Sequence, residues 1–214
     1  MATSDNFVAY WADANETETI WKFKGNATPQ TLWTDTNGDV FFEPSDKLKA
    51  QFDRTNDIRF STYFAIDESA SDTAKVAKYP GSDLGPQIND LKLIRIAELY
   101  LIRAEAEAQN NQLAEAANDI NTLRTTRIEG YRNISYSGKD EAVADILNER
   151  FKELCYEGFR FFDLKRNSLG INRFESDVQS AVWQNLPANS FRFALPIPQH
   201  EVFANKNIVQ NEGY

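Results

Sequence analysis

Glu149, Glu153 and Glu157 recur at every fourth position in the segment ERFKELCYEGFRFFDLKR, Glu149 to Arg166, with Arg160 a further three residues on. On a helix beginning near Asp140 this spacing aligns the four groups along one stripe. Carboxylates facing each other are the apparatus of general acid and base catalysis, and a glycoside hydrolase would hold two of them roughly 5 to 9.5 Å apart across a sugar. The neighbouring residues argue for another use. Phe151, Leu154, Cys155, Phe159 and Phe162 crowd the other faces of the same predicted helix, and charge placed among such groups is costly unless it is paired and hydrogen-bonded. The stripe therefore reads as an internal ion-pair network of Glu149, Arg150, Glu153, Glu157, Arg160 and Asp163, and not as a catalytic pair.

Other chemistry has little to build with. The single histidine, His200, follows Pro198 in a polar turn, and the single cysteine, Cys155, sits among Leu154, Tyr156 and Phe159. A zinc site or a serine-type triad lacks its ligands, and an internal disulfide is excluded. The run DTNGD, Asp35 to Asp39, has alternating oxygen ligands like the opening of a calcium loop. Its glycine falls at the wrong place and Glu43 comes too early for the closing carboxylate, so a hairpin turn explains it better and no cofactor is assigned.

The elements that must position these groups follow from periodicity. Trp21 and Phe23 alternate with Lys22 and Lys24, the period of a half-buried strand, which places Trp21 in the core. Short strands are also expected over Val40 to Phe42 and Asp57 to Ile66, and a long surface loop over Glu68 to Asp90. Beyond it, Ile94, Ala97, Leu101, Ala104 and Ala108 form one helical stripe, with Ile96, Leu99, Tyr100 and Ile102 on the remaining faces. After a turn at Asn110 to Gln112, Leu113, Ala116, Ala117, Ile120 and Leu123 mark a second helix. Small alanines across a short turn are the pattern of a tetratricopeptide-type hairpin. Phe191, Phe193 and Leu195 then alternate into an extended tail fixed by Pro196 and Pro198, and Trp183 beside Val182 and Leu186 reads as core. The fold class expected is mainly α, a helical hairpin and further helices with short strands and long loops, in a single domain over 1–214 with a loop- and strand-rich part over 1–90 and a helical part with an extended tail over 91–214. A net charge of −9 and a pI near 4.8 argue against nucleic-acid backbones and anionic membrane surfaces as partners. No apolar stretch is long enough to cross a bilayer.

Taken in order, IRIAELYLIRAEAEA (Ile94 to Ala108), AEAANDINTLRTTR (Ala114 to Arg127), the Glu149 segment, FALPIPQHE (Phe193 to Glu201) and the terminal NIVQNEGY resemble the carboxyl-terminal domain of the RagB/SusD family. ETIWKF (Glu18 to Phe23) and PSDKLKAQFDRTNDIR (Pro44 to Arg59) extend the likeness upstream. The resemblance implies a non-catalytic, glycan-capturing lipoprotein of the bacterial outer-membrane surface that delivers its ligand to a SusC-like TonB-dependent transporter. It assigns Arg95 and Glu98 to packing, and has Gln210, Asn211, Gly213 and Tyr214 anchor the terminus through hydrogen bonds and a buried ring. It also implies that this chain, opening with MATSDNF, starts partway through a longer protein and lacks the family's amino-terminal helical half and lipid anchor. Some relatives hold calcium; here a structural calcium stays unassigned.

A saccharide site needs an exposed aromatic platform flanked by groups that share hydrogen bonds with hydroxyls. Tyr10 and Trp11 precede Asp13 and Asn15, and Trp33 precedes Asp35, Asn37 and Asp39. Trp33, Trp11, Tyr10, Asp35 and Asn37 are therefore the ligand-binding candidates. A tetratricopeptide-type module gripping a peptide, and a glycoside hydrolase, are the alternative function classes.

Overall fold

Side-chain caps at Ser45 and Asp57 and left-handed turns at Asn111 and Tyr156 set some of the element boundaries of this chain. The computed structural model describes residues 1–27, 43–67, 73–85 and 88–214; the expected strand at Val40 to Phe42 and the DTNGD turn lie outside them. The described residues divide into two units, Met1–Glu157 and Gly158–Tyr214.

The first unit opens with helix α1 (Ser4–Trp11), strand β1 (Thr19–Ala27) and helices α2 (Asp46–Lys49) and α3 (Ile58–Tyr63). A strand is expected over Asp57 to Ile66, yet α3 is helical. The Asp57 carboxylate caps it by accepting from the Arg59 N–H at 3.1 Å, and the Thr62 hydroxyl donates back to the Ile58 carbonyl at 2.7 Å. Only then does β2 (Phe64–Asp67) extend and pair antiparallel with β3 (Thr73–Val76), with Phe64 opposite Val76. The expected loop is thus interrupted by β3, whose Ala74 and Val76 are buried, and it ends at β4 (Ile88–Arg95). Strand β4 pairs antiparallel with β1, Phe23 opposite Leu91 and Lys22 opposite Lys92. This pairing holds Ile94 and Arg95 in the strand, and helix α4 (Ile96–Gln109) starts one residue later.

The alanines pack as the hairpin pattern predicts. Ala97, Ala104 and Ala108 of α4 are fully buried, as is Ala116 of α5 (Leu113–Thr125); Asn111, at φ +61°, turns the chain between the two helices. Helix α4 also packs on α6 (Lys139–Glu153). Its remaining face is open, with Leu99 and Ile102 each 48% exposed. Around α1 lies an aromatic core in which Phe7, Trp11, Phe52, Phe60, Tyr63, Phe64 and Tyr79 are buried, most ring pairs meeting edge to face.

The expected single helix from Asp140 through Phe162 is broken. Helix α6 stops at Glu153, and Tyr156 and Gly158 adopt φ of +64° and +87° where the chain passes into the second unit. That unit contains α7 (Arg160–Arg166), the two-residue strands β5 (Ile171–Asn172) and β6 (Asn185–Leu186), which pair with each other, and α8 (Gln199–Ala204). Its terminus is tied by hydrogen bonds: Gln210 exchanges two with the Ile197 backbone at 2.8 and 2.9 Å, Asn211 donates to the Leu195 carbonyl at 2.6 Å, and the Tyr214 hydroxyl donates to the Ala194 carbonyl at 3.0 Å. The Tyr214 ring is half exposed, not buried as expected, and stands edge-on to Phe191 at 5.0 Å.

Candidate functional site

Glu149 and Glu153, one turn apart on α6, face the elements packed against that helix, and the turn after Glu153 brings Glu157 to the same side. Every oxygen of the three is engaged. Glu149 accepts from Arg59 at 2.5 Å and from Arg124 at 2.7 Å, and Lys152 lies 3.0 Å away. Glu153 accepts from Arg59 at 3.1 Å, from Arg95 at 3.1 Å and from Arg127 at 3.1 and 3.2 Å. Glu157 takes two bonds from Arg95, both 2.8 Å, and one from Lys78 at 2.7 Å. Glu18, next to β1, completes the ring: it binds Arg127 at 2.6 Å, Arg95 at 3.0 Å and the backbone N–H of Ala2 at 2.8 Å.

Asp57 and Asp145 add two more carboxylates, paired with Arg59 and Arg124 at 2.7 and 2.8 Å. The cluster then balances. Glu18, Asp57, Asp145, Glu149, Glu153 and Glu157 oppose Arg59, Lys78, Arg95, Arg124, Arg127 and Lys152. Burial alone would raise the carboxyl pKa values, but the guanidinium and ammonium groups outweigh it and hold Glu149, Glu153 and Glu157 below the ordinary range. The side chains of Glu18, Glu149 and Glu153 have no solvent exposure and Glu157 has 5%. A sugar has no space between them.

Of the other predicted network residues, Arg150 is buried on α6. Arg160 and Asp163 lie beyond the turn in the second unit, where Asp163 accepts from Arg166 at 2.7 and 3.0 Å. Sequence spacing missed Glu18, Asp57, Arg59 and Lys78, which come from distant segments. Lys78 sits over the rings of Trp11 and Tyr63 at 4.5 and 4.1 Å and donates to the carbonyls of Glu153 and Cys155, so a cation closes the carboxyl end of α6.

The aromatic candidates divide differently from expectation. Tyr10 and Trp11 are fully buried, and burial pushes the Tyr10 hydroxyl pKa up despite Arg95 nearby. Trp11 meets Phe7, Tyr10, Tyr63 and Tyr79 edge-on and lies beneath Lys78, Lys92 and Arg95. Neither ring offers a face to a ligand, because both belong to the core on which the ion network rests. Trp33, Asp35 and Asn37 lie outside the described residues.

Trp21 and Trp183, read as core, are 53% and 61% exposed. For Trp21 the cause is an inversion of the β1–β4 ribbon. Its inner face carries charge: Lys22 pairs with Glu16 and Asp90 at 2.7 and 2.5 Å, and Lys92 pairs with Asp13. Asp13, at φ +61°, also accepts from the Asn89 amide and the Asp90 N–H at 2.9 and 2.7 Å. Alternation then sends Trp21, Phe23 and Leu91 outward, at 53%, 49% and 40% exposure. The Trp21 and Phe23 rings lie 5.5 Å apart at 56°, an aromatic surface on a hydrogen-bonded ribbon. Among the described residues no cluster of His, Cys, Asp or Glu could hold a metal ion, and no helix is long and apolar enough to cross a membrane.

A helical hairpin carrying a buried ion lattice, with aromatics turned outward on a strand pair, is the frame of a scaffold that displays a surface. Residues 73–214 match the SusD family model, and the chain belongs to that family. It is similar to the "SusD-like protein P38" of Formosa agariphila, 28% identical over 176 residues that cover 78% of this chain and 33% of the relative. It is also similar to the "Starch-binding protein SusD" of Bacteroides thetaiotaomicron, 33% identical over 126 residues, 58% of this chain and 22% of the relative. Among solved structures, a SusD superfamily protein from Bacteroides vulgatus superposes with a TM-score of 0.81 at 23% identity, over 100% of this chain and 50% of that one. Another, from Bacteroides thetaiotaomicron, gives 0.77 at 26% identity, over 99% and 52%. The chain thus spans a third or less of these curated relatives and about half of these solved ones.

Proposed function

We propose that this protein captures an oligosaccharide at the bacterial cell surface without cleaving it, as part of an assembly that hands the glycan to a TonB-dependent outer-membrane transporter. The observation that carries the reading is the exposed Trp21–Phe23 pair on the β1–β4 ribbon. Flat apolar rings held on a fixed backbone stack against the apolar face of a pyranose at little cost in conformational freedom. The segment that follows β1 in sequence carries Trp33, Asp35 and Asn37, and these supply a further ring and hydrogen-bonding groups for hydroxyls. The starch-binding name of one relative supports the ligand class. The engagement of Glu149, Glu153 and Glu157 in ion pairs supports binding without hydrolysis.

Lipid anchoring at the outer surface and docking to the transporter are parts of the same proposal and rest on family membership. The test is calorimetric titration with a panel of linear oligosaccharides, with released reducing ends assayed in parallel. Saturable binding that weakens in Trp21→Ala or Trp33→Ala, with no new reducing ends, is the expected result. Cleavage of any bound glycan overturns the proposal.

A further inference from the structure

The second unit holds another exposed tryptophan on a short excursion between β5 and β6. Trp183 is 61% and Val182 77% exposed, and the backbone beneath them is tightly fixed. Trp183 N–H donates to the Ser180 carbonyl at 2.9 Å and Gln184 N–H to the Ala181 carbonyl at 3.2 Å. The Ser180 hydroxyl accepts from Val182 N–H at 3.4 Å. Arg173 closes the base: its N–H donates to the Gln184 carbonyl at 2.9 Å, its guanidinium donates to the Trp183 carbonyl, and its own carbonyl accepts from the Gln184 amide at 3.3 Å. Gly170 lets the neighbouring strands meet, since a Cβ there would come within 2.6 Å of the Leu186 carbonyl.

So many bonds from polar side chains to one short excursion hold an indole in solvent where burial would otherwise be favourable. A ring presented this way, on a backbone braced by the Gln184 amide, the Ser180 hydroxyl and the Arg173 guanidinium, offers a flat apolar face of the kind on which a sugar stacks, with polar side chains in the same short segment. The chain's net charge of −9 repels polyanions.

We infer that Trp183 is a second saccharide-binding site, specific for neutral glycans and independent of the Trp21–Phe23 platform. The inference rests on the glycan-capture reading and adds to it a place and a ligand class.

The test labels the whole chain with 5-fluorotryptophan, whose four fluorine resonances are assigned from single Trp→Phe variants. The probes are maltoheptaose, cellohexaose, xylohexaose, mannohexaose and laminarihexaose, with oligogalacturonate as the anionic comparison. The Trp183 resonance should shift saturably with at least one neutral probe, and should still do so in the Trp21→Ala/Trp33→Ala variant. In that background Trp183→Ala should weaken binding by about two- to tenfold, with Trp183→Phe retaining part of it.

If Trp21 or Trp33 responds while Trp183 is silent, the second site is refuted and the capture reading stands. If Trp183 responds only while Trp21 and Trp33 are intact, its independence is refuted. An equal response to oligogalacturonate refutes the neutral class. Silence of all four resonances with every probe counts against both the second site and the capture reading.

Discussion

Replacing Glu153 by glutamine removes one negative charge from the centre of the ion cluster while keeping the side chain's shape. Glu153 accepts from three guanidiniums, Arg59, Arg95 and Arg127, at 3.1 to 3.2 Å. The first and third of these side chains have no solvent exposure and the second has 1%. An amide can share the bonds of one of them at most and turns its NH₂ toward the others. Breaking a buried pair by removing one partner costs about 3–5 kcal/mol, because the stranded charge has lost its hydration. For a unit the size of Met1–Glu157 that corresponds to a fall in Tm of about 6–20 °C. Urea unfolding followed by far-UV circular dichroism measures the free energy directly. A loss below about 1 kcal/mol, the range of solvent-exposed pairs, would refute the view that the cluster locks the first unit together.

The same cluster sets the pH response. Glu149, Glu153 and Glu157 titrate below their usual value near 4.5 in the folded protein, so their stabilisation is complete above that value and is lost as pH falls below it. Thermal scans should be flat from pH 7 to about 5 and drop steeply under about pH 4.5; a fall centred above pH 6 would contradict the assignment. Trp11→Phe should lower stability by less than the about 3–5 kcal/mol of a Trp→Ala change while leaving glycan affinity unchanged, since the ring is core; isothermal titration and urea unfolding of the same variant check both halves. Gly213→Ala should release the carboxyl terminus, because Gly213 sits at φ +93° and a Cβ would come within 2.4 Å of the Phe191 ring. Faster amide exchange at Ile197 and Asn211 is the expected readout.

Much of the helical part is legible in the sequence. The alanine stripes at Ala97, Ala104, Ala108 and Ala116 demand close helix contact, and the spacing of Glu149 and Glu153 amid apolar residues demands counter-charges inside. The partners of Glu149, Glu153 and Glu157 are not legible, because Arg59, Lys78 and Arg95 reach them through contacts across 58 to 94 residues of chain, which no local period encodes.

Alternation in β1 is visible as well, but it cannot say which face turns inward. The inner face is taken by Lys22 and Lys92 with their acids, and the usual rule of apolar inside is reversed for Trp21 and Phe23. Tyr10 and Trp11 fail as a sugar platform for a related reason. Polar neighbours such as Asp13 suggest a surface, whereas Asp13 turns back through a left-handed conformation to bind Asn89, Asp90 and Lys92. Trp183 looks apolar in context, with Val182 and Leu186 nearby, and only the hydrogen bonds of the β5–β6 excursion reveal that it is held outward.

The most direct test of glycan capture is calorimetric titration of the protein and its Trp21→Ala variant with the oligosaccharide panel, with reducing ends followed in the same samples. Saturable binding, weakened in the variant and accompanied by no new reducing ends, is the predicted result. Equal binding by both proteins would remove the Trp21–Phe23 platform from the account, and release of reducing ends would replace capture with hydrolysis.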